Sequence, residues 1–476
     1  MINDLFNIYL PQCCLAIFIF IQLCFAMFTS PKIYKDARFV SILGISLSIM
    51  LLSTVQTEPQ YFGFRNSIMS DSYTLLFHFA ILLCGFFIAL LCKSDDAGQK
   101  QHAYTFQALL LTAIFGGLNI VSSNDFLTLF ISVELMAFPT YFMIASTKGY
   151  HSKEASFKYL ITSAISTGVF LFGVSYLYGL TSSLNFSEIY EALLDTEPSL
   201  LYSFAAIMIV IGLISKLAVF PFANWITDVY KGTESSVLMY LSTIPKLAIF
   251  GIICRLMVFS LSYSFELPFV IAIMSLITAF WANTFAIREQ NVKVILACSS
   301  AANAAYVLTV ACLVSVYNIS TVIFYLICYV IMNLSVFSFI NIIEKESIGM
   351  NVDDFKGLFH DNRMLTIAYT ISIISLAGFP ITSGFISKIY LFSAIAHSGL
   401  IFLPFLLALL LLMVVALFYY LKLILPLFDK NETNNKLLNA TYSQQFVLVI
   451  TTAVTILVGI YPEKLIELCK YIAYNI

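Results

Sequence analysis

IGLISKLAVFPFANWITDVYKGTESSVLMYLSTIPKLAIF, residues 211–250, is the stretch on which the fold turns. Lys216 stands five residues before Pro221 inside one apolar run, the chain turns through a short polar loop, and Lys246 stands beside Pro245 inside the next run. A lysine at the centre of a membrane helix costs roughly 2.5 to 3.5 kcal/mol on insertion scales, so it persists where protein or water accommodates it, and it marks function. Burial disfavours the charged form of an amine in general, which lets a buried lysine take up and release protons. The bland alternative, a lysine at a helix end reaching for the headgroups, does not suit positions ten or more residues from both ends of their apolar runs.

The rest of the chain has the composition such a pair needs. Of 476 residues, 60% are hydrophobic and 11% charged, with 44 Phe and 27 Tyr, whereas a soluble domain carries about 25% charge. A polytopic, all-α membrane protein follows, because one soluble core of that size would leave almost no polar surface. The net charge of −2, with no basic cluster and no Gly-rich phosphate loop, argues against nucleic acid or nucleotide as a partner. The ten cysteines are scattered through apolar segments without CxxC spacing, so neither a zinc site nor an iron–sulfur cluster is indicated. The first apolar run, from near Ile8, has no basic leader and no cleavage pattern and reads as a retained helix.

A span needs about 20 apolar residues. That criterion gives about fourteen, near 8–28, 38–56, 71–93, 104–121, 125–146, 155–180, 201–226, 235–257, 268–287, 291–313, 317–341, 363–395, 402–427 and 443–463. Short cytoplasmic loops carry the Lys/Arg excess. The odd-numbered connections hold Lys32, Lys35, Arg38, Lys93, Lys100, Lys148, Lys153, Lys231, Arg288, Lys293, Lys345, Lys356, Arg363, Lys430 and Lys436, and the even-numbered ones only Arg65 and Arg255. Both termini are therefore expected on the non-cytoplasmic side. The acidic connection with Glu188, Glu191, Asp195 and Glu197 fits the outer face.

Lys158, Lys216, Lys246, Lys388 and Lys422 are the lysines that fall within spans, and Glu134 is the carboxylate well inside one. Lys158 and Lys422 lie near span ends. Lys388 lies eight residues past Pro380 in the twelfth span. Proline frees backbone carbonyls that protein or cavity water must satisfy, so Pro221 and Pro380, each beside a lysine, mark broken helices along a pathway. The seventh and twelfth spans are five apart, and an odd repeat length inverts topology. The expected domains are an N-terminal three-helix segment (1–103), two inverted five-helix repeats (104–260 and 261–428) and a C-terminal helix (429–476). Glu134, Lys216, Lys246 and Lys388, in chain order on the fifth, seventh, eighth and twelfth spans, permit a lateral proton relay, since charge moved on one member changes the proton affinity of the next. No flavin motif, haem ligand pair or activated nucleophile is visible, so energy must come from an ion gradient or another subunit.

Five runs now carry a resemblance: SNDFLTLFISVELMAFPTYFMIAS around Glu134, KEASFKYLI from Lys153, the stretch from Leu213 to Phe250, SLAGFPITSGFISKIYLF around Lys388, and VGIYPEKLIEL near the end. Over nearly its whole length the chain resembles the antiporter-like membrane subunits of proton-pumping NADH:quinone oxidoreductase, respiratory complex I. The STIPK and EASFKY runs, and lysine rather than glutamate at 388, are more similar to the subunit N branch (the second ND subunit of mitochondria) than to subunit M. The resemblance implies fourteen helices with the seventh and twelfth broken, a Glu134–Lys216 pair, a central Lys246 and an exit at Lys388. It also implies that NADH, FMN, iron–sulfur clusters and quinone belong to partner subunits, that the partners of this chain are neighbouring membrane subunits, lipid and protons, and that the site is a bacterial inner membrane. Many relatives have histidine where this chain has Ala223 and Asn303, so a histidine step is absent here or taken by water.

Several residues have plainer readings. His78 and His102 suit backbone or interfacial bonds, Asp125 suits a helix N-terminal charge, and Glu154 with Lys158 suits a surface pair as well as proton uptake. Tyr419 and Tyr420 read as packing, and Glu234 as solvated. Two other functions fit the same pattern: a subunit of a multi-subunit Na⁺/H⁺ antiporter or membrane-bound hydrogenase, and a membrane spacer whose lysines are conformational.

Overall fold

The computed structural model describes residues 8–28, 35–55, 60–92, 103–147, 149–194, 199–261, 264, 266–429 and 440–476. Lys32, Lys93, Lys100, His102, Lys148, Asp195, Glu197, Lys430 and Lys436 lie outside the described residues. Thirteen of the described helices are long and apolar enough to cross a membrane, and the expected twelfth span, split into two shorter halves, completes fourteen.

The chain divides into two compact units, Met1–Lys216 with Ile244–Leu267 and Tyr474–Ile476, and Leu217–Thr243 with Pro268–Ala473. The first unit opens with α1 (Leu10–Phe28) and α2 (Lys35–Leu51) and continues with α3 (Ser72–Leu91), α4 (Ala103–Ser122), α5 (Phe126–Ser146), α6 (Tyr150–Thr181), the short α7 (Phe186–Leu194) and α8 (Leu200–Ile214). Acidic caps start two of these spans: Asp71 accepts from the Thr74 amide (2.7 Å) and Asp125 from the Thr128 amide (2.6 Å), each a carboxylate at the positive end of a helix dipole. Between α2 and α3 lies a feature that hydropathy does not reveal, a hairpin of β1 (Tyr61–Gly63) and β2 (Ile68–Ser70). Its turn takes positive φ at Phe64, Arg65 and Asn66, and the Asn66 carbonyl accepts from the side-chain amides of Asn124 and Asn185.

The second unit holds α9 (Trp225–Gly232), all but the first two residues of α11 (Glu266–Arg288), α12 (Val292–Ala311), α13 (Val316–Lys345), the single-turn α14 (Leu358–Asp361), α15 (Arg363–Ala377), α16 (Ser383–His397), α17 (Leu403–Ile424), α18 (Tyr442–Ile460) and nearly all of α19 (Glu463–Tyr474). The eighth span, α10 (Ser235–Phe259), begins in the second unit and ends in the first. Every residue of α12 is buried, although it carries Lys293, Ser299, Ser300 and Asn303. A span this enclosed needs no lipid-compatible face, which is why it tolerates polar residues all round.

Both expected breaks are present. In the seventh span α8 passes into a 3₁₀ turn, Ser215–Leu217, then Ala218 takes a positive φ and the chain runs irregularly to α9. In the twelfth, α15 closes on Gly378 (φ +89°), whose amide reaches back to the Ile374 and Ser375 carbonyls, and α16 restarts at Ser383. Pro221 and Pro380 both lie in the irregular segments.

Candidate functional site

The first cluster belongs to the first unit. Lys216, in the 3₁₀ turn that ends α8, is 5% exposed. Its ammonium donates to Ser163 Oγ on α6. One turn along α6, Thr167 donates to Glu134 Oε1 on α5 at 2.7 Å. Each member of the pair implied by the resemblance thus has a hydroxyl partner on α6: Ser163 and Thr167, at i and i+4, share one helix face, and the half-buried Glu134 stays within electrostatic reach of Lys216. Ser166 turns its hydroxyl to the Ser163 carbonyl. The carboxylate and the amine thus sit on the same face of α6, each on its own hydroxyl, without a direct ion pair between them.

Lys246 occupies the middle of α10, next to Pro245 inside the helix, and is 3% exposed. It belongs to the first unit, as do Glu134 and Lys216.

Lys388 belongs to the second unit and sits in the second turn of α16. Its ammonium folds back across the break and donates to the Leu376 and Ala377 carbonyls at 2.6 and 3.1 Å. Those carbonyls are the last of α15, the groups a helix leaves unsatisfied and the negative end of its dipole. The cation also lies 5.9 Å from the centre of the Tyr420 ring. Room for the lysine stem depends on Gly378, since a Cβ there would come within 2.9 Å of Lys388 Cδ.

Around Tyr420, which the sequence reading assigned to packing, the structure gathers a polar group that includes Asn303. The Tyr420 hydroxyl is 2.5 Å from Ser299 Oγ and accepts from the Asn303 side-chain amide at 3.3 Å, while Tyr325 donates to Asn303 Oδ1 at 2.9 Å. Tyr329 donates to Ser300 Oγ at 3.0 Å. The signal in sequence was the small polar run CSSAAN, on a segment otherwise apolar.

Two of the basic residues counted as loop charges are buried within helices. Arg255, placed in an outer connection by the sequence reading, is wholly buried in α10 and pairs with Asp71 through Nη2 at 2.8 and 2.7 Å, while Nη1 donates to the Val121 carbonyl. A guanidinium has enough donors to satisfy a carboxylate and a carbonyl at once, which makes full burial tolerable. Lys293 lies in the first turn of α12, where the helix dipole opposes a cation, and is held by Glu344 at 2.5 Å and by the Thr233 carbonyl at 2.9 Å. Lys422 donates to the Glu289 carbonyl at 2.5 Å, just past the C-terminus of α11. Glu234, expected in solvent, is half-buried. Lys158 and Glu154 form an exposed i,i+4 pair at 2.9 Å. Asp125 is an N-cap, and His78 Nε2 bonds the Leu118 carbonyl at 2.9 Å.

The chain matches a known family and several solved structures. The family described as NADH:quinone oxidoreductase/Mrp antiporter, TM, matches residues 123–415. A relative named NADH-quinone oxidoreductase subunit N, from Anoxybacillus flavithermus, is 32% identical over 443 residues, covering 89% of this chain and 87% of the relative. The protein of the same name from Cytophaga hutchinsonii is 30% identical, covering 92% and 94%. Among solved structures, a chain of respiratory complex I from Thermus thermophilus with bound aureothin superposes with a TM-score of 0.82 at 24% identity, covering 96% of this chain and 98% of that one. A chain of the Mrp complex from Dietzia sp. DQ12-45-1b gives 0.82 at 19% identity, covering 98% and 96%. At those identities the structural likeness speaks for the fold.

Proposed function

The chain belongs to the NADH:quinone oxidoreductase/Mrp antiporter transmembrane family, and from that premise we propose that it is a proton-translocating membrane subunit of an NADH:quinone oxidoreductase in which Glu134, Lys216, Lys246 and Lys388 carry the protons. The observation that supports this most is the burial of three lysines in a membrane protein, each 5% exposed or less. Ammonium groups in such places are retained for what they do rather than for stability. The hydroxyl partners in the Glu134–Lys216 cluster and the carbonyl cradle of Lys388 give two of these amines polar partners that accommodate the ammonium form inside the protein.

On this reading the chain takes no electrons itself, and NADH, FMN, iron–sulfur clusters and quinone are handled by partner subunits whose redox chemistry drives the relay. The excess of Lys and Arg in the odd-numbered connections supports an orientation with both termini outside the cytoplasm, and the bacterial relatives support a bacterial cytoplasmic membrane as its place. Segments 104–260 and 261–428 are the inverted repeats, each with one broken span. An Mrp-type cation/proton antiporter subunit shares the fold, but the relatives at 30% identity and above carry the oxidoreductase name.

The test uses the assembled complex in proteoliposomes with NADH and quinone, following lumenal acidification. Lys216→Met and Glu134→Gln are each predicted to lower it about tenfold or more, while NADH oxidation by an artificial acceptor, which reports assembly, stays at the wild-type rate. Wild-type acidification in both assembled variants would leave the spacer reading standing.

A further inference from the structure

The four-residue relay leaves one buried ion pair of the first unit without a role. Arg255 on α10 and Asp71 at the start of α3 meet at 2.7 Å with side chains 0% and 2% exposed. A buried pair of this kind adds little stability over apolar packing of the same shape, so its value lies in the one arrangement it specifies.

The helix it acts on needs such a specification. From Ser235 to Met257 every residue of α10 is buried, so no apolar stripe set against a polar face chooses its rotation about its own axis. Pro245, next to Lys246, has no N–H to give the preceding turn, and one backbone bond is missing there. The half of α10 that carries Lys246, from Ile244 on, belongs to the first unit together with α3 and α4.

The contacts of that half with α3 and α4 lie on a single stripe. Ile244 and Ala248 lie against Gly117 of α4, where a Cβ would come within 3.2 and 3.9 Å of them. The Gly251 carbonyl accepts from the Tyr73 hydroxyl at 2.8 Å, and a Cβ on Gly251 would come within 3.2 Å of the Phe77 ring and 3.3 Å of Val121. Arg255 closes the stripe, donating to Asp71 and to the Thr74 hydroxyl on α3 and to the Val121 carbonyl on α4. These positions follow at steps of four, three and four, the spacing of one helix face. Lys246 is nine residues from Arg255, about two and a half turns, and so lies on the opposite side of α10.

We propose that Arg255 and Asp71 are positioning residues for Lys246: by fastening one face of α10 to α3 and α4, the pair fixes the rotation of the helix and turns the lysine on the other face toward the proton path. This rests on the proton-translocating reading above. Packing and the Tyr73 bond set how close the helices lie, and the ion pair, the strongest directional contact on the stripe, sets the angle.

The test uses the assembled complex in proteoliposomes with NADH and quinone. Lumenal acidification is read per complex, the number of complexes being taken from NADH oxidation by an artificial acceptor. Arg255→Met removes the fastening, and acidification per complex should fall about tenfold, as it does when a reacting group is slightly misplaced. Arg255→Lys keeps a cation able to bond Asp71 and should recover most of that loss. If Arg255→Met does not assemble, Asp71→Asn combined with Arg255→Met leaves no charge unpaired and keeps an N-cap on α3, and it should pump as poorly. A purely structural pair would lower the yield of complex and leave acidification per complex at the wild-type rate. That result in Arg255→Met or in the double variant, or an Arg255→Lys no better than Arg255→Met, overturns the proposal and leaves the function standing. Wild-type complex that reduces quinone with NADH without acidifying the lumen overturns the function itself.

Discussion

Lys216 comes before the break in its span and Lys388 comes after the break in its own, and that order decides what each ammonium touches. At the end of α8, Lys216 reaches sideways to a hydroxyl on α6, with a carboxylate one further hydroxyl away. Lys388 starts from the second half-helix and reaches back to the first, where two terminal carbonyls accept hydrogen bonds from its ammonium. The negative end of a helix amounts to about half an elementary charge, so the compensation of Lys388 comes from backbone while that of Lys216 comes from side chains. Backbone compensation ties the lysine to the shape of the break. Side-chain compensation leaves the break to look after itself, as it does through the bond from the Phe220 amide to Thr278 Oγ1.

The sharpest way to break this contrast is to alter the crossing of the second break. The Gly384 amide donates to Ser375 Oγ, and a Cβ on Gly384 would come within 1.8 Å of the Ser375 carbonyl oxygen. No rotamer change relieves a clash with backbone, so α16 must move off α15. Gly384→Ala is predicted to cost about 3 kcal/mol and to remove the subunit from the purified complex, measured as its loss from the membrane fraction on gel filtration. Normal retention would mean that the two half-helices are loosely held and that the carbonyl cradle is not a fixed feature.

A smaller effect separates the two lysines directly. In Lys388→Met the Leu376 and Ala377 carbonyls lose their donor, and each buried acceptor left unsatisfied costs about 1–3 kcal/mol, offset in part by no longer burying a charge. In Lys216→Met the Ser163 hydroxyl can turn to a carbonyl of its own helix, as Ser166 does. Thermal unfolding of the complex should therefore place Lys388→Met about 2 kcal/mol below Lys216→Met, with acidification expected to fall in both. Equal stabilities would show that the cradle carbonyls find other donors.

What could be read in advance follows from what a membrane makes anomalous. Glu134, Lys216, Lys246 and Lys388 stand out because a charge inside an apolar run is rare, and Pro221 and Pro380 because proline in a span removes a backbone bond. Ser163, Thr167 and Tyr420 do not stand out, since serine, threonine and tyrosine are frequent throughout these helices and gain meaning only from partners on other elements. Arg255 was misplaced for a related reason. It lies near the end of its apolar run, where snorkelling is the default, and its partner Asp71 is 184 residues away in sequence. Lys293 looked like a loop charge because a span boundary drawn from hydropathy falls at the same residues as the first turn of α12.

The smallest effect tests whether depth alone distinguishes the relay lysines from their neighbours. Lys158 lies on α6, the helix that also supplies Ser163 and Thr167, yet its side chain is 45% exposed and paired with Glu154 one turn away. Exposed i,i+4 pairs contribute about 0.3–0.5 kcal/mol and are screened by salt. The lysine hydrocarbon stem adds little on a face open to solvent or headgroups. Lys158→Met in the assembled complex should therefore change stability by less than about 0.5 kcal/mol and leave acidification within twofold of wild type, roughly. A loss as deep as that of Lys216→Met would bring Lys158 into the pathway as its uptake residue. It would also extend the proposed path along α6 beyond the cluster of Glu134 and Lys216.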